Sequence, residues 1–242
     1  MNILITGTGS GIGRYLAESL SQKGHHILEL PHVLCDVSDY GALERWASRL
    51  DISHIDALIH CAGIQGSIGP SSVVDPREWS KTIDVDLKGP FYVWRAFHAL
   101  LSGSKRPKVI LFGGGGATKP RPNFSAYASA KAGVVRLAEV LANEHPGEDF
   151  FVIAPGAVRT KMSAEVIAAG PRLAGDEEYA KALKFDTKGL PAVLELVEFL
   201  LGPEGSRLRG RLIAAQWDPW RDAASGDDGW GFLRRTEPAK SP

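Results

Sequence analysis

Tyr127 and Lys131 lie four residues apart in Ser125-Ala126-Tyr127-Ala128-Ser129-Ala130-Lys131, a stretch that Ser125 is placed to cap as a helix. At that spacing two helical side chains share a face and reach the same pocket. A free phenol titrates at about pH 10, too high to exchange a proton well at neutral pH. A nearby ammonium stabilises the phenolate and lowers that pKa, which makes the pair a candidate general acid/base. The same spacing also describes a packed tyrosine beside a solvated lysine. The pair gains chemical meaning only from its surroundings.

A second constellation opens the chain. The apolar run Ile3-Leu4-Ile5 ends at Thr6, glycines follow at Gly7, Gly9, Gly11 and Gly13, and Tyr15, Leu16, Ala17 and Leu20 then take up helical spacing. A strand, a glycine turn and a helix make a phosphate site. The helix N-terminus offers unpaired N–H groups and partial positive charge, and glycine lets the backbone approach a pyrophosphate. Glycines also mark ordinary tight turns. At the first strand of an alternating strand–helix chain, however, the nucleotide reading is favoured.

The elements that must position these residues follow in order. The sequence predicts strands at residues 2–6, 26–30, 55–61, 108–112, 150–154 and 211–215. Helices are expected at about 11–23, from Ser38 or Asp39 to about Leu50, from Pro76 to about Leu101 with a kink or break at Gly89-Pro90, from Ser125 to His145-Pro146, and from Pro191 to Leu201. A charged helical excursion spans about 160–184. Almost nothing separates Leu30 from His32, whereas a parallel crossover needs about a dozen residues, so the third strand is absent or a stub and its preceding helix is missing. The fold class is α/β, a Rossmann-type doubly wound parallel sheet in a single domain (residues 1–216), followed by a tail (217–242).

Composition excludes several functions. Lysine plus arginine (28) equals aspartate plus glutamate (28), which gives no electrostatic case for nucleic acid or an anionic membrane. No apolar run is long enough to span a bilayer, and a strand starting at residue 2 leaves no room for a cleaved leader. Cys35 and Cys61 form no disulfide framework and have no metal-ligand spacing; His25 and His26 read as strand-edge residues, so no metal is expected. The chain is expected to be cytoplasmic, with the sequon Asn123-Phe124-Ser125 unused.

Five motifs in register carry a resemblance: Thr6-Gly7-Thr8-Gly9-Ser10-Gly11-Ile12-Gly13, Asp36-Val37, Cys61-Ala62-Gly63, Tyr127-Ala128-Ser129-Ala130-Lys131 and Pro155-Gly156-Ala157-Val158-Arg159-Thr160. Together they resemble the short-chain dehydrogenase/reductase family from Asn2 to about Ala215. The resemblance implies a nicotinamide dinucleotide, NAD or NADP, across the strand C-termini, held by Gly7, Gly9, Ser10, Gly11, Ile12, Gly13, Asp36, Val37, Cys61, Ala62, Gly63, Tyr127, Lys131, Pro155, Gly156, Val158 and Thr160. It implies proton exchange between Tyr127 and substrate oxygen, with Lys131 acidifying the phenol and holding the nicotinamide ribose. It also implies a homodimer or homotetramer packed through the helices around residues 91–101 and 125–145.

The chain departs from the family pattern at several positions. Gly114, inside Gly113-Gly114-Gly115-Gly116, stands where the family has the serine thirteen residues before the tyrosine. Asp86 stands where the family commonly has asparagine; ionised aspartate accepts hydrogen bonds but donates none, and near Lys131 it would offset the ammonium. Backbone N–H groups of Gly113 to Gly116 are candidate replacements for the serine, and the bland alternative is that the glycines merely make room. The usual acidic ribose ligand falls at Pro31, beside His32, and Glu29 comes slightly early; no arginine stands ready for a 2′-phosphate, and Arg14 reads as solvated.

On the substrate side, Lys119 and Arg121 either grip an anionic or sugar-nucleotide substrate or form a solvated loop, and residues 160–188 correspond to the family's substrate lid. Trp217, Trp220 and Trp230 suggest that the tail is buried somewhere, over the site, in a subunit contact or on the domain edge; residues 237–242 are expected to be disordered. The leading function is NAD(P)-dependent hydride transfer to or from a carbonyl or secondary alcohol. The alternatives are a nucleotide-binding protein with weak or no redox activity and, last, a sugar-nucleotide epimerase or dehydratase.

Overall fold

Alternating strand and helix build one all-parallel sheet in the computed structural model, which describes residues 1–30, 35–222 and 231–233. Its strands are β1 (Asn2–Thr6), β2 (His26–Glu29), β3 (Ala57–His60), β4 (Lys108–Phe112), β5 (Asp149–Ala154) and β6 (Leu212–Ala214), in spatial order β2-β1-β3-β4-β5-β6. The order reverses between β1 and β3, which opens a crevice at their carboxyl ends where doubly wound sheets bind ligands.

Alternation along each strand feeds two cores. Ile3 and Ile5 of β1 face α1 (Gly11–Gln22) and α8 (Leu190–Leu201). Leu4 faces α2 (Tyr40–Ala47), α4 (Gly89–Leu101) and α5 (Ser125–Glu144). Between β2 and α2 no helix occurs among the described residues, as the short spacing predicts; Asp39 Oδ1 caps α2 by accepting from the Ala42 N–H at 2.9 Å. Among these residues β2 is the sheet edge; Pro31 and His32, where the usual acidic ribose ligand falls and any stub of the third strand would begin, lie outside the described residues.

Two local expectations need correction. The long helix does not break at Gly89-Pro90: Gly89 is helical (φ −52°, ψ −52°), and the irregularity lies one turn earlier. There α3 (Pro76–Ile83) passes through a π-turn over Asp84–Lys88 before α4. Pro90 lacks an N–H and its ring crowds the carbonyl four residues back, at Asp86, so the widened turn absorbs the conflict without ending the helix. Nor does Ser125 cap α5. Asn123 takes a left-handed φ of 69°, Phe124 becomes the N-cap, and the Ser125 hydroxyl instead accepts from the Trp79 indole N–H at 3.1 Å.

The charged excursion folds into α6 (Lys161–Ala174) and α7 (Asp176–Leu183), separated by Gly175 at φ 85°. Val166, Ala174 and Ala182 from this pair form a third apolar cluster with Phe124 and Tyr127. This helix pair therefore packs directly on the candidate acid/base. In the tail, Trp220 is buried, donates to the Ala215 carbonyl at 3.2 Å and packs on Phe199. Trp217 is 68% exposed, contrary to the expectation of burial. Trp230 and residues 237–242 lie outside the described residues.

Candidate active site

The glycine turn is packed too closely for side chains at two positions. A Cβ on Gly7 would lie 2.6 Å from the Ala62 nitrogen, and one on Gly13 would lie 2.3 Å from the Gly7 oxygen. Thr6 Oγ1 accepts from the Ala62 N–H at 3.1 Å, so the ends of β1 and β3 are fastened together beneath the turn. Gly11 has φ 57° and faces the Thr160 methyl, whereas a Cβ on Gly9 would meet nothing within 4 Å. The Ser10 side chain makes no capping bond, Ile12 is half-buried, and the first turn of α1 carries no acidic residue. A helix N-terminus with neither a side-chain cap nor an acidic residue, beside a turn with open space at Gly9, is an arrangement suited to a pyrophosphate.

From that turn an open cleft of about 660 Å³ runs along α1 and the whole of β2, lined by Thr8, Gly9, Arg14, Ser21, His25 and Glu29 among others. Glu29, which the spacing puts too early, lines it. Arg14 is not simply solvated, since its guanidinium donates to the Gly9 carbonyl. Asp36 and Val37 do not line this cleft: Asp36 Oδ1 accepts from the Ser38 N–H and hydroxyl, both at 2.8 Å, and Val37 is buried against the start of α4.

Tyr127 and Lys131 come from α5 as spaced, both buried (8% and 5% exposed), with the Lys131 Nζ 5.4 Å from the phenol ring centre. The π-turn delivers Asp86 to the same place: its Oδ2 lies 3.6 Å from the Lys131 Nζ and its Oδ1 accepts from the Ile64 N–H at 2.8 Å. Oδ2 has no hydrogen-bond partner among the described residues. A Cβ on Gly63 would lie 3.2 Å from Asp86 Oδ1 and 3.6 Å from Lys131 Nζ, so glycine lets the Cys61-Ala62-Gly63 backbone pass over the pair. Burial pushes the Asp86 carboxyl up, against the opposing pull of the Lys131 charge and the Ile64 hydrogen bond. Burial works against the Lys131 ammonium, but Asp86 and Tyr127 outweigh it and hold the lysine charged. Burial also pushes up the Cys61 thiol.

The tyrosine hydroxyl occupies the space where a side chain at position 114 would begin. A Cβ on Gly114 would lie 2.5 Å from Tyr127 Oη. The Gly113 N–H donates to the Ile153 carbonyl at 2.9 Å, which removes it from the candidate donors. The N–H groups of Gly114, Gly115 and Gly116 donate no hydrogen bond among the described residues, although the Gly114 carbonyl accepts from the Ala117 N–H at 3.2 Å.

Arg121 is not a free anion grip. Its guanidinium stacks 3.8 Å from the Phe124 ring centre and 5.4 Å from that of Tyr127, and its Nε donates to Glu178 Oε2 on α7 at 2.6 Å. Burial alone would raise the Glu178 carboxyl, but Arg121 and Lys181 pull it below its usual range. Lys119 is exposed.

On the far side, Gly156 (φ 82°) leaves room for Gln216, whose side-chain N–H donates to the Pro155 carbonyl at 2.9 Å. Val158 is buried and bridges to Asp186, and Thr160 caps α6 with its N–H donating to the Ser163 hydroxyl. His60 has no counterpart in the sequence reasoning. It is buried, faces Thr6 Oγ1 through Nδ1 at 3.1 Å, and leaves Nε2 unpartnered among the described residues. Burial and the Lys131 charge push its pKa down to about 3.

Residues 29–170 match the family model described as short chain dehydrogenase. The chain belongs to the short-chain dehydrogenase family. It is 28% identical to the short chain dehydrogenase mpl6 of Monascus purpureus over 89% of this chain and 80% of the relative. Its fold matches the ligand-free aldohexose dehydrogenase of Thermoplasma acidophilum with a TM-score of 0.78, at 22% identity over 88% and 91% of the two chains. It also matches a short chain dehydrogenase of Shigella flexneri complexed with NADP, with a TM-score of 0.74, at 22% identity over 89% and 97%. Like its named relatives, this short-chain dehydrogenase is an oxidoreductase. Among the described residues, no helix is long and apolar enough to cross a membrane.

Proposed function

We propose that this short-chain dehydrogenase transfers a hydride between a nicotinamide dinucleotide and the carbonyl or secondary alcohol of a small molecule. The observation that carries the reading is the convergence of Tyr127, Lys131 and Asp86 at the strand carboxyl ends, beneath α6 and α7. The open Gly9 side, the acid-free first turn of α1 and the adjoining cleft fit a dinucleotide. When bound, the nicotinamide gives or takes the hydride.

The chain's own residues handle the proton. Tyr127 Oη donates it to the nascent alkoxide in reduction and accepts it in oxidation. Lys131, held charged in a buried site, stabilises the phenolate state. Asp86 orients the Lys131 ammonium and the Ile64 backbone, and the free amides of Gly114, Gly115 and Gly116 offer donors to substrate oxygen. The α6–α7 cover excludes water from the pair. Residues 1–216 then act as the cofactor-binding domain with residues 160–188 as its substrate cover.

The Glu29 carboxylate in the cleft favours NAD, because it can accept from ribose hydroxyls and would repel a 2′-phosphate. Fluorescence titration with NADH and NADPH distinguishes the two, and tighter NADPH binding would overturn the preference. Tyr127→Phe tests the chemistry: turnover should fall by about two to four orders of magnitude, the range of general acid/base catalysis, with dinucleotide binding retained. The second reading, a nucleotide-binding protein with little redox activity, draws on Gly114 and the buried Asp86 carboxylate. It wins if the wild-type binds dinucleotide yet turns over no carbonyl or alcohol across a broad panel. Self-association is supported by Phe91 on α4 and Val140 on α5, both large apolar side chains left exposed (37% and 42%). A monomer by light scattering would refute it.

A further inference from the structure

At the opposite end of the sheet from the glycine turn, three elements bring together His98 of α4, His145 at the end of α5, and Glu148 just before β5. One ligand atom from each lies within 4.8 Å of the other two. His98 Nε2 is 2.9 Å from Glu148 Oε1, and the two imidazole rings are 5.4 Å apart.

The surroundings resemble a built site more than a chance ion pair. The other Glu148 oxygen accepts from the Trp94 indole N–H at 3.0 Å, which fixes the plane of a carboxylate that is only 6% exposed. That indole also sits edge-on to both imidazoles, with ring centres 5.1 and 4.9 Å away. Arg209 donates to the Glu148 carbonyl at 2.9 Å and to the His145 carbonyl at 3.3 Å, which ties down the turn carrying both residues. The His145 ring nitrogens meet no hydrogen-bond partner among the described residues, and both imidazoles are half-buried, open enough to admit a hydrated ion. Fixed outer-sphere partners of this kind orient metal ligands.

The geometry points to a divalent d-block metal site, best suited to Zn²⁺, with His98, His145 and Glu148 as ligands and water in the fourth position. Two imidazoles and one carboxylate are donors that Zn²⁺ takes at about 2.0–2.2 Å, which sets tetrahedral ligand atoms about 3.4 Å apart. Side-chain rotation must close the wider pairs, all within 4.8 Å, and open His98–Glu148 slightly from 2.9 Å. Imidazole donors select against Mg²⁺ and Ca²⁺, which prefer oxygen. The site joins α4, α5 and β5 and does not involve the Tyr127 pocket, so its role is to fasten the fold.

The test uses the full chain, stripped of metal with EDTA and dialysed. It is titrated with ZnCl₂ and, separately, with CoCl₂, whose visible absorption reports a four-coordinate site. One equivalent should bind at micromolar concentration or below, with a higher melting temperature in excess Zn²⁺. His145→Ala should weaken binding at least tenfold; it removes no hydrogen bond, only the ring contacts with Trp94, His98 and Phe150, and a thermal melt without metal checks that it folds. Glu148→Gln should weaken it similarly while keeping an acceptor for Trp94. No saturable binding by 100 µM overturns the proposal. Binding that is unchanged in a folded His145→Ala variant also overturns it, and assigns the metal to other histidines.

Discussion

Gly114→Ser installs the side chain that the family pattern has at this position, and the structure gives the expected outcome. The new Cβ would lie 2.5 Å from Tyr127 Oη and 3.3 Å from its Cζ. Ordinary carbon contacts begin at about 3.5 Å, so the hydroxyl must retreat by roughly 1 Å. Tyr127 is only 8% exposed and is held by Phe124, Val166, Ala174 and Ala182, so the retreat displaces packed neighbours. A misplacement of about 1 Å in a reacting group can cost about a hundredfold in rate. Overpacking costs about 1–3 kcal/mol, and a chain of this size loses about 2–4 °C of melting temperature per kcal/mol. Gly114→Ser is therefore expected to lower kcat/KM by about ten- to a hundredfold and the melting temperature by about 2–12 °C. Gly114→Ala, with the same Cβ and no hydroxyl, should match it in both. The assay is dinucleotide-coupled turnover together with a thermal melt of each variant. Serine turnover at or above wild-type, with alanine depressed, would refute the reasoning, since the tyrosine would then yield freely and the hydroxyl would serve catalysis.

Two other perturbations follow from the same geometry. His60 has a native pKa of about 3 against about 6.5 unfolded, so the unfolded chain binds more protons between those values and stability falls as pH drops below 6.5. From pH 7 to 5 this costs about 2 kcal/mol, which His60→Asn should remove from the pH dependence of a urea titration; an unchanged pH dependence would show that His60 does not titrate this way. Glu178→Ala frees Arg121 and should loosen the α6–α7 pair by about 1–3 kcal/mol, read as roughly 5- to 150-fold faster amide exchange over residues 161–183. Exchange at the wild-type rate would show that the apolar cluster alone holds the pair down.

The order of strands and helices was legible because it rests on local chemistry. Apolar runs such as Ile3-Leu4-Ile5, glycines at turns and Pro at helix starts act over a few residues, and the lack of a helix between β2 and α2 among the described residues follows from chain length alone. The Tyr127–Lys131 pair was legible for the same reason, since four residues on one helix fix a shared face. The rest of the site was legible only in part. The resemblance put Asp86 near Lys131, but not the π-turn over Asp84–Lys88 that delivers it, because the sequence showed only a Gly-Pro pair where a kink or break was expected. The Arg121–Glu178 contact joins residues 57 apart, and the Trp94–Glu148 bond spans 54. The value of Gly114 depends on where a tyrosine hydroxyl comes to rest, and the pKa of His60 on how fully the sheet encloses it. Short-range sterics and hydrogen bonding write elements into the sequence. Desolvation and charge pairing depend on neighbours that only the packed chain brings together.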